Sequence, residues 1–347
     1  MTSTKPTNIR NSIFFSRTTA RTAFFFDCGS DSAAFSEFAV SDYSGVTEYD
    51  PHYVNPVLTG ADPFILEHDG TYYLYSTNKT SQGYVVYTSD NLRDWTDSGF
   101  CLKREDCYAT ESSNGFWAPE VYYVNGRFYL FYTVDQHLGI ATSDSPLGPF
   151  KGATDGYLFE NRAIDAHLFI DDDGQAYLYY VRMDDGNEVY GCKIDLDTFE
   201  TSDEVLLVTP QEGSWEYVYG KTAEGPCMIK HNGTYYLTYT CNDYHSPDYA
   251  VGYMTSSSPL SGFKRFFKKT PILKKSIANG VSGPGHHSFF HTADGELMIV
   301  YHKHFSMDTV ADRQICLDRC TFVTYPGEAV DRLIVCGPTA SPQALPD

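Results

Sequence analysis

Short runs of aromatic and aliphatic residues, each entered through an Asp-Gly or Asn-Gly pair, recur along the chain. Asp69-Gly70 precedes Thr71 to Tyr75, Asn125-Gly126 precedes Arg127 to Tyr132, and Asp173-Gly174 precedes Gln175 to Tyr180. Asn232-Gly233 and Asp294-Gly295 introduce the runs ending at Tyr239 and Tyr301. Both central positions of a two-residue type I′ turn need positive φ, which Asn, Asp and Gly tolerate, so each pair predicts the tip of a β-hairpin. The turn glycines lie 48 to 62 residues apart, room for four strands and variable loops in every repeat. Five such sheets predict an all-β, five-bladed β-propeller. A second mark keeps the same period: Tyr87 to Trp95, Ala141 to Phe150 and Tyr253 to Phe263 follow the first, second and fourth hairpins and read as a third strand running into a common turn. No segment of more than about a dozen residues carries a 3.6-residue apolar period, so little helix is expected.

Residues 1–50 carry no hairpin signal and are rich in Ser, Thr and Asp. They are expected to form an extension, partly packed on the propeller and disordered at its start. Residues 51–347 hold the propeller and a turn-rich tail from Pro338 to Pro346, with no second domain after the fifth blade.

Composition narrows the partners. The 347 residues are 42% hydrophobic and 16% aromatic, which a disordered acidic chain does not reach. Against 25 Lys and Arg stand 45 Asp and Glu, a net charge of −20. That excess repels a nucleic-acid backbone or an anionic membrane surface and leaves a neutral ligand as the natural partner. No stretch reaches the roughly 18 consecutive apolar residues of a membrane span. Arg10, Arg17 and Arg21 break up the apolar clusters near the N-terminus, and the nine cysteines are odd in number without a Cys-x-x-Cys pair. Free thiols, no zinc site and a cytoplasmic location are expected, with secretion as the alternative.

The strand before each turn should be the inner strand of its blade, starting at the channel mouth. Counting back from each glycine reaches Asp62, Glu120, Asp165, Glu224 and His286 or His287. One ionisable group per blade, at matching places, gathers four carboxylates and a histidine around one axis. Like charges so crowded push at least one carboxyl pKa upward. Carboxyl groups whose pKa values are pushed apart are what acid/base chemistry at a glycosidic bond requires. Trp117, one of three tryptophans, sits at the mouth, where an indole face can stack on a sugar. Asp171-Asp172-Asp173-Gly174 lacks the alternating ligands and closing Glu of a calcium loop and reads as a solvated turn.

In order and at blade spacing, Gly60-Ala61-Asp62-Pro63, Trp117-Ala118-Pro119-Glu120, Ala163-Ile164-Asp165-Ala166 and Ala223-Glu224-Gly225-Pro226 resemble the successive blade motifs of glycoside hydrolase family 43. The resemblance runs from about residue 53 to the C-terminus. It implies a five-bladed propeller of inverting enzymes that act mostly on arabinose- and xylose-containing plant polysaccharides. Asp62 would be the general base, Glu224 the general acid and Asp165 the group that tunes and orients Glu224, with acid and base about 6.5–9.5 Å apart. Glu120 would be a supporting group. His287 resembles the fifth-blade histidine beneath the family's pocket that helps hold a water or a calcium ion, with His286 as the alternative. Arg313 resembles the pocket arginine that contacts sugar hydroxyls or a carboxylate. The expected activity is release of terminal α-L-arabinofuranose, and also of β-D-xylose, from arabinoxylan or arabinan oligosaccharides. No redox or organic cofactor is required, and a structural calcium at the axis is allowed for. An endo-arabinanase or endo-xylanase of the same fold, or a non-catalytic carbohydrate-binding propeller, are the alternatives.

Overall fold

The structure is a computed structural model that describes residues 51–266 and 270–346; the N-terminal extension expected over residues 1–50 lies outside them. Asp69-Gly70, Asn125-Gly126 and Asn232-Gly233 hold φ of 51° and 78°, 50° and 86°, and 47° and 75°, the left-handed pairs that a two-residue hairpin demands. The other two tips differ from the expectation. Gly174 and Gly295 are left-handed, at 86° and 90°, but Asp173 and Asp294 are not, and each turn is closed by an outer pair of bonds. Asp171 N–H donates to Gln175 O at 3.0 Å and Thr292 N–H to Glu296 O at 2.9 Å. These longer turns need only one left-handed residue, which the glycine supplies.

The tips organise five antiparallel sheets. Blade I comprises Ala61–His68, Thr71–Thr77, Gly83–Ser89 and Thr96–Lys103, and blade II Trp117–Val124, Arg127–Val134, His137–Ser143 and Lys151–Gly152. Blade III comprises Ala163–Ile170, Ala176–Arg182, Glu188–Ile194 and Thr201–Val208, and blade IV Ala223–His231, Thr234–Cys241, Ala250–Ser256 and Lys264–Arg265. Blade V takes Gly285–His291, Leu297–Lys303 and Gln314–Val323 from the end of the chain and Leu58–Thr59 from before blade I. Leu58 pairs with Ile315 and Thr59 with Gln314, so the ring is closed by a strand from the opposite end of the sequence. Among the described residues two short 3₁₀ turns, Arg104–Asp106 and Trp215–Tyr217, are the helical elements. No helix among the described residues is long and apolar enough to cross a membrane.

Aromatic side chains fill the wedges between blades. Tyr75, Tyr84, Phe116 and Tyr132 are buried between blades I and II, and Tyr179 and Tyr239 between III and IV. A buried phenol must find an acceptor, and here the acceptor often belongs to another blade. Tyr84 of blade I donates to Trp117 O and Thr133 O of blade II, both at 3.0 Å. The rings supply the burial and their hydroxyls fix the spacing. Cys101, Cys107, Cys192, Cys227, Cys241, Cys316 and Cys320 are free thiols.

Each inner strand begins with a β-bulge. Pairing with the second strand slips between Ala61 and Phe64, Trp117 and Glu120, Ile164 and His167, Glu224 and Cys227, and Gly285 and Ser288. The residue just inside each slip is left-handed: Asp62 at 51°, Ala118 at 44°, Asp165 at 59°, Gly225 at 52° and His286 at 44°. This corrects the expectation of one ionisable group at the same place in every blade. Asp62, Asp165 and His286 occupy the bulge, Glu224 precedes it by one residue, and Glu120 follows it by two. The two longer turns add a residue between bulge and glycine, so counting back from glycine does not hold register.

Gly225 meets two demands at once. Its φ is left-handed, and a Cβ there would lie 3.3 Å from the His286 backbone and ring. Gly225→Ala is expected to cost about 1–2 kcal/mol, the penalty for a side chain in left-handed backbone, read as a lower urea midpoint with unchanged slope.

Candidate active site

The bulges turn three carboxylates toward one mouth. Asp62 and Asp165 are 7% and 6% exposed, so their charges are met by protein rather than water. Arg313 Nη1 donates to Asp62 Oδ1 at 2.9 Å, and the Thr77 hydroxyl donates to Asp62 Oδ2 at 2.7 Å. Asp62 N–H in turn donates to His302 Nδ1 at 3.2 Å. His286 Nδ1 stands between the two aspartates, 3.4 Å from Asp62 Oδ1 and 3.9 Å from Asp165 Oδ2. Glu224 accepts from the Tyr249 hydroxyl at 2.7 Å and from Asn187 Nδ2 at 3.1 Å.

These surroundings push the carboxyl groups in opposite directions. Burial alone raises Asp62, but the Arg313 guanidinium, then His286 and His302, outweigh it and hold Asp62 well below the usual carboxylate range. Glu224 is pushed up to about 7 by burial and by the Asp165 charge, against the pull of His286 and the Tyr249 hydroxyl. Asp165 is raised by burial, with His286 and the Gly225 amide opposing. His286 is raised despite burial, because Asp62, Asp165 and Glu224 surround it. Near neutral pH the mouth therefore presents one firmly ionised carboxylate and one carboxyl poised at its titration point. That is the equipment of general acid and base catalysis.

The remaining residues singled out in the sequence fall at different depths. Trp117 is half-buried at the start of its bulge, the place Glu224 holds in blade IV. Arg313 reaches the site, but its guanidinium is engaged by Asp62 and lies 4.6 Å above the Tyr244 ring. The histidine that meets the carboxylates is His286. His287 is 2% exposed and turns to blade IV, Nε2 at 2.7 Å from the Thr238 hydroxyl, because the left-handed bulge sends consecutive side chains in different directions. Burial drives it down to about 3, so it is neutral. Glu120 lies away from the mouth, bonded to the Tyr122 hydroxyl and, at 3.0 Å, to His167 Nδ1.

A calcium at the axis would have to be met by His287, whose Nδ1 is buried without a hydrogen-bond partner. Among the described residues no three His, Cys, Asp or Glu side chains converge at metal-holding distance. One imidazole nitrogen does not make the oxygen cage calcium requires and suits a single water better.

Tyr249, Asn187, Thr77 and His302 were missed in the sequence, and for two of them a signal exists. The residue seven places after each turn glycine is Thr77, Thr133, Val181, Thr240 or His302, and each pairs with the first residue of its blade's bulge.

A five-bladed ring with opposed carboxyl groups at one mouth is a carbohydrate-cleaving architecture in outline. Residues 53–324 match the model of glycosyl hydrolases family 43. The chain belongs to that family. A β-D-galactofuranosidase of Aspergillus niger is 31% identical over 77% of this chain and 82% of its own length. An extracellular exo-α-(1→5)-L-arabinofuranosidase of Streptomyces avermitilis is 25% identical over 75% of this chain, which spans 58% of that protein. Among solved structures, a thermostable family-43 glycoside hydrolase is 38% identical with a TM-score of 0.76, covering 85% of this chain and 99% of its own. An endo-1,4-β-xylanase of Bacteroides thetaiotaomicron is 35% identical with a TM-score of 0.75, covering 82% and 97%. The protein is thus a glycosidase.

The Tyr249 hydroxyl favours the ionised form of Glu224. Tyr249→Phe is expected to move the basic limb of the kcat/KM profile upward by about one pH unit, the size of one hydrogen bond to a charged group. A limb unchanged or moved downward would separate Tyr249 from the group that titrates.

Proposed function

We propose that this chain is an inverting, exo-acting α-L-arabinofuranosidase, with β-D-xylosidase activity as a related capability, working on arabinoxylan- or arabinan-derived oligosaccharides. The observation that carries the chemistry is the split between Asp62, held ionised by Arg313, and Glu224, pushed up to about 7. Glu224 gives its proton to the glycosidic oxygen as the bond to the anomeric carbon breaks. A water attacks that carbon from the opposite face and loses its proton to Asp62, so one bond forms as one breaks and the configuration inverts. Asp165 sets the potential in which Glu224 keeps its proton. His286 stands between the two aspartates, whose charges favour its protonated form as it favours their ionised ones. Water is the one co-reactant the step needs.

Support for a furanose comes from the relatives: arabinofuranosidases recur among them, including an arabinoxylan arabinofuranohydrolase of Paenibacillus polymyxa, 27% identical over 75% of this chain. The Aspergillus relative favours a second reading, β-D-galactofuranose, which has the ring stereochemistry of α-L-arabinofuranose and a longer exocyclic arm. A cavity of about 570 Å³ beside Arg313, lined by Tyr244, His245 and Asp312 among others, is roomy enough for either sugar.

Aryl glycosides separate these readings. The purified protein is expected to release nitrophenol from the α-L-arabinofuranoside, more slowly from the β-D-xylopyranoside, while dominant turnover of the β-D-galactofuranoside would favour the second reading. Silence on all three with cleavage of linear arabinan or xylan would overturn exo action. Glu224→Ala is expected to lose about 10²–10⁴-fold on oligosaccharides, whose leaving groups need a proton, and far less on nitrophenyl glycosides. Asp62→Ala is expected to lose activity on both, and equal losses for the two variants on both substrates would sink the division of roles.

A further inference from the structure

A bulge frees one backbone amide from the ladder, and at the centre of a propeller that amide is buried and must find an acceptor. Four blades solve this in one way. The Ala118 N–H of blade II donates to the Thr77 hydroxyl of blade I at 2.9 Å, and the Asp165 N–H of blade III to the Thr133 hydroxyl of blade II at 3.3 Å. The His286 N–H of blade V donates to the Thr240 hydroxyl of blade IV at 2.9 Å, and Asp62 N–H, closing the circle, to His302 Nδ1 of blade V at 3.2 Å. In each case the acceptor is the residue seven places past the preceding blade's turn glycine. Blade IV is the exception. The corresponding residue of blade III is Val181, fully buried in the apolar wedge between blades III and IV with Ala223 and Met228, and valine accepts nothing. The Gly225 N–H donates instead to Asp165 Oδ2 at 3.1 Å.

Asp62 and Asp165 make the comparison direct. Both are aspartates at the bulge of an inner strand, with φ of 51° and 59°, and both are buried. Thr77 serves the amide of the following blade, so the Asp62 carboxylate is left to Thr77, Arg313 and His286. Val181 cannot serve it, and the Asp165 carboxylate is drawn across to blade IV, onto the residue next to Glu224. We propose that Val181 is a positioning residue: by offering no hydroxyl to the Gly225 amide, it makes the Asp165 carboxylate the acceptor there and so fixes that carboxylate beside Glu224. The single apolar residue in an otherwise polar circle is what commits one of two equivalent aspartates to the neighbouring carboxyl group.

The inference rests on the glycosidase reading for its kinetic consequence but not for its geometry. Asp165 faces His286, Asp62, Glu224 and Glu120, and Glu224 faces Asp165, His286, Asp62 and the Tyr249 hydroxyl. Val181→Thr leaves all of these in place and changes the acceptor. With the Gly225 amide taken by the new hydroxyl, the Asp165 carboxylate loses its tie to blade IV and takes the hydroxyl proton of its own blade instead, as Asp62 does from Thr77, so its charge is no longer held beside Glu224 and raises Glu224 less. The basic limb of kcat/KM on the aryl glycoside is then expected to move to lower pH by about one unit. Val181→Ala, which loosens the wedge but adds no acceptor, is expected to lower the melting temperature without moving the limb. In parallel, ¹⁵N-glycine labelling reads the Gly225 amide itself. Its resonance, assigned by its loss in Gly225→Ala, is expected to titrate with Asp165 in the unsubstituted protein and to lose that titration in Val181→Thr. A folded Val181→Thr protein with the original limb, or with a Gly225 amide that titrates as before, overturns the proposal. Should the unsubstituted protein hydrolyse nothing, the glycosidase reading fails while the amide titration still decides the role of Val181.

Discussion

Five strands that begin at one axis cannot all keep their ladders to the end, and the amide that each bulge releases is the constraint around which this molecule is arranged. Burying it unpaired would cost about 1–3 kcal/mol in each blade, a sum comparable with the whole stability of a domain. The acceptors that remove this cost come from the preceding blade, so local satisfaction and ring assembly are one requirement. The left-handed backbone at each bulge follows from the same geometry, and it aims Asp62, Asp165 and His286 at the mouth. A framework that needed only to close has thereby placed polar side chains where a substrate would lie.

Concentrating them there works against folding. Glu224 is raised from 4.5 to about 7, so the folded chain holds this proton more tightly than the unfolded one. The penalty is absent below the unfolded value, grows as pH rises between the two values, and is complete above about 7; its size is no more than about 3 kcal/mol. Asp62 has the opposite sign: its depressed pKa contributes stability that is present above the ordinary carboxylate value and lost as pH falls through the folded one. Arg313 is the counter-charge that lets the cluster persist, and His286, between the two aspartates, favours their ionised forms.

Much of this was legible in the chain because it depends on local chemistry. Asn-Gly and Asp-Gly pairs admit few conformations, and five at a regular interval leave little choice of architecture. The three carboxyl positions at the mouth were reached because each lies close to such a turn along one strand. What escaped depends on distances across blades. Tyr249 and Asn187 meet Glu224 from separate loops, 25 and 37 residues away, and no spacing rule links them. His286 and His287 are neighbours in sequence, and only the bulge decides which of them faces the carboxylates. Glu120 was counted with the others although it stands six residues before its turn glycine rather than eight or nine; the bulge of its blade is at Ala118, and a count does not register a bulge.

Closure of the ring has a consequence for the order in which the protein is made. Asp62 follows Leu58–Thr59 directly, while its partners Arg313 and His302 lie 251 and 240 residues further on. A chain emerging from the ribosome N-terminus first exposes the strand Leu58–Thr59 and the Asp62 carboxylate long before blade V exists to receive them. Through most of synthesis that strand is an unpaired edge, the kind of surface on which unfinished chains associate. Arrival of Gln314–Ile315 ends both exposures together, since the segment that pairs with the strand also carries Arg313 to Asp62. Closure of the ring and completion of the site are the same event, and a nascent chain that has not reached Ile315 has neither.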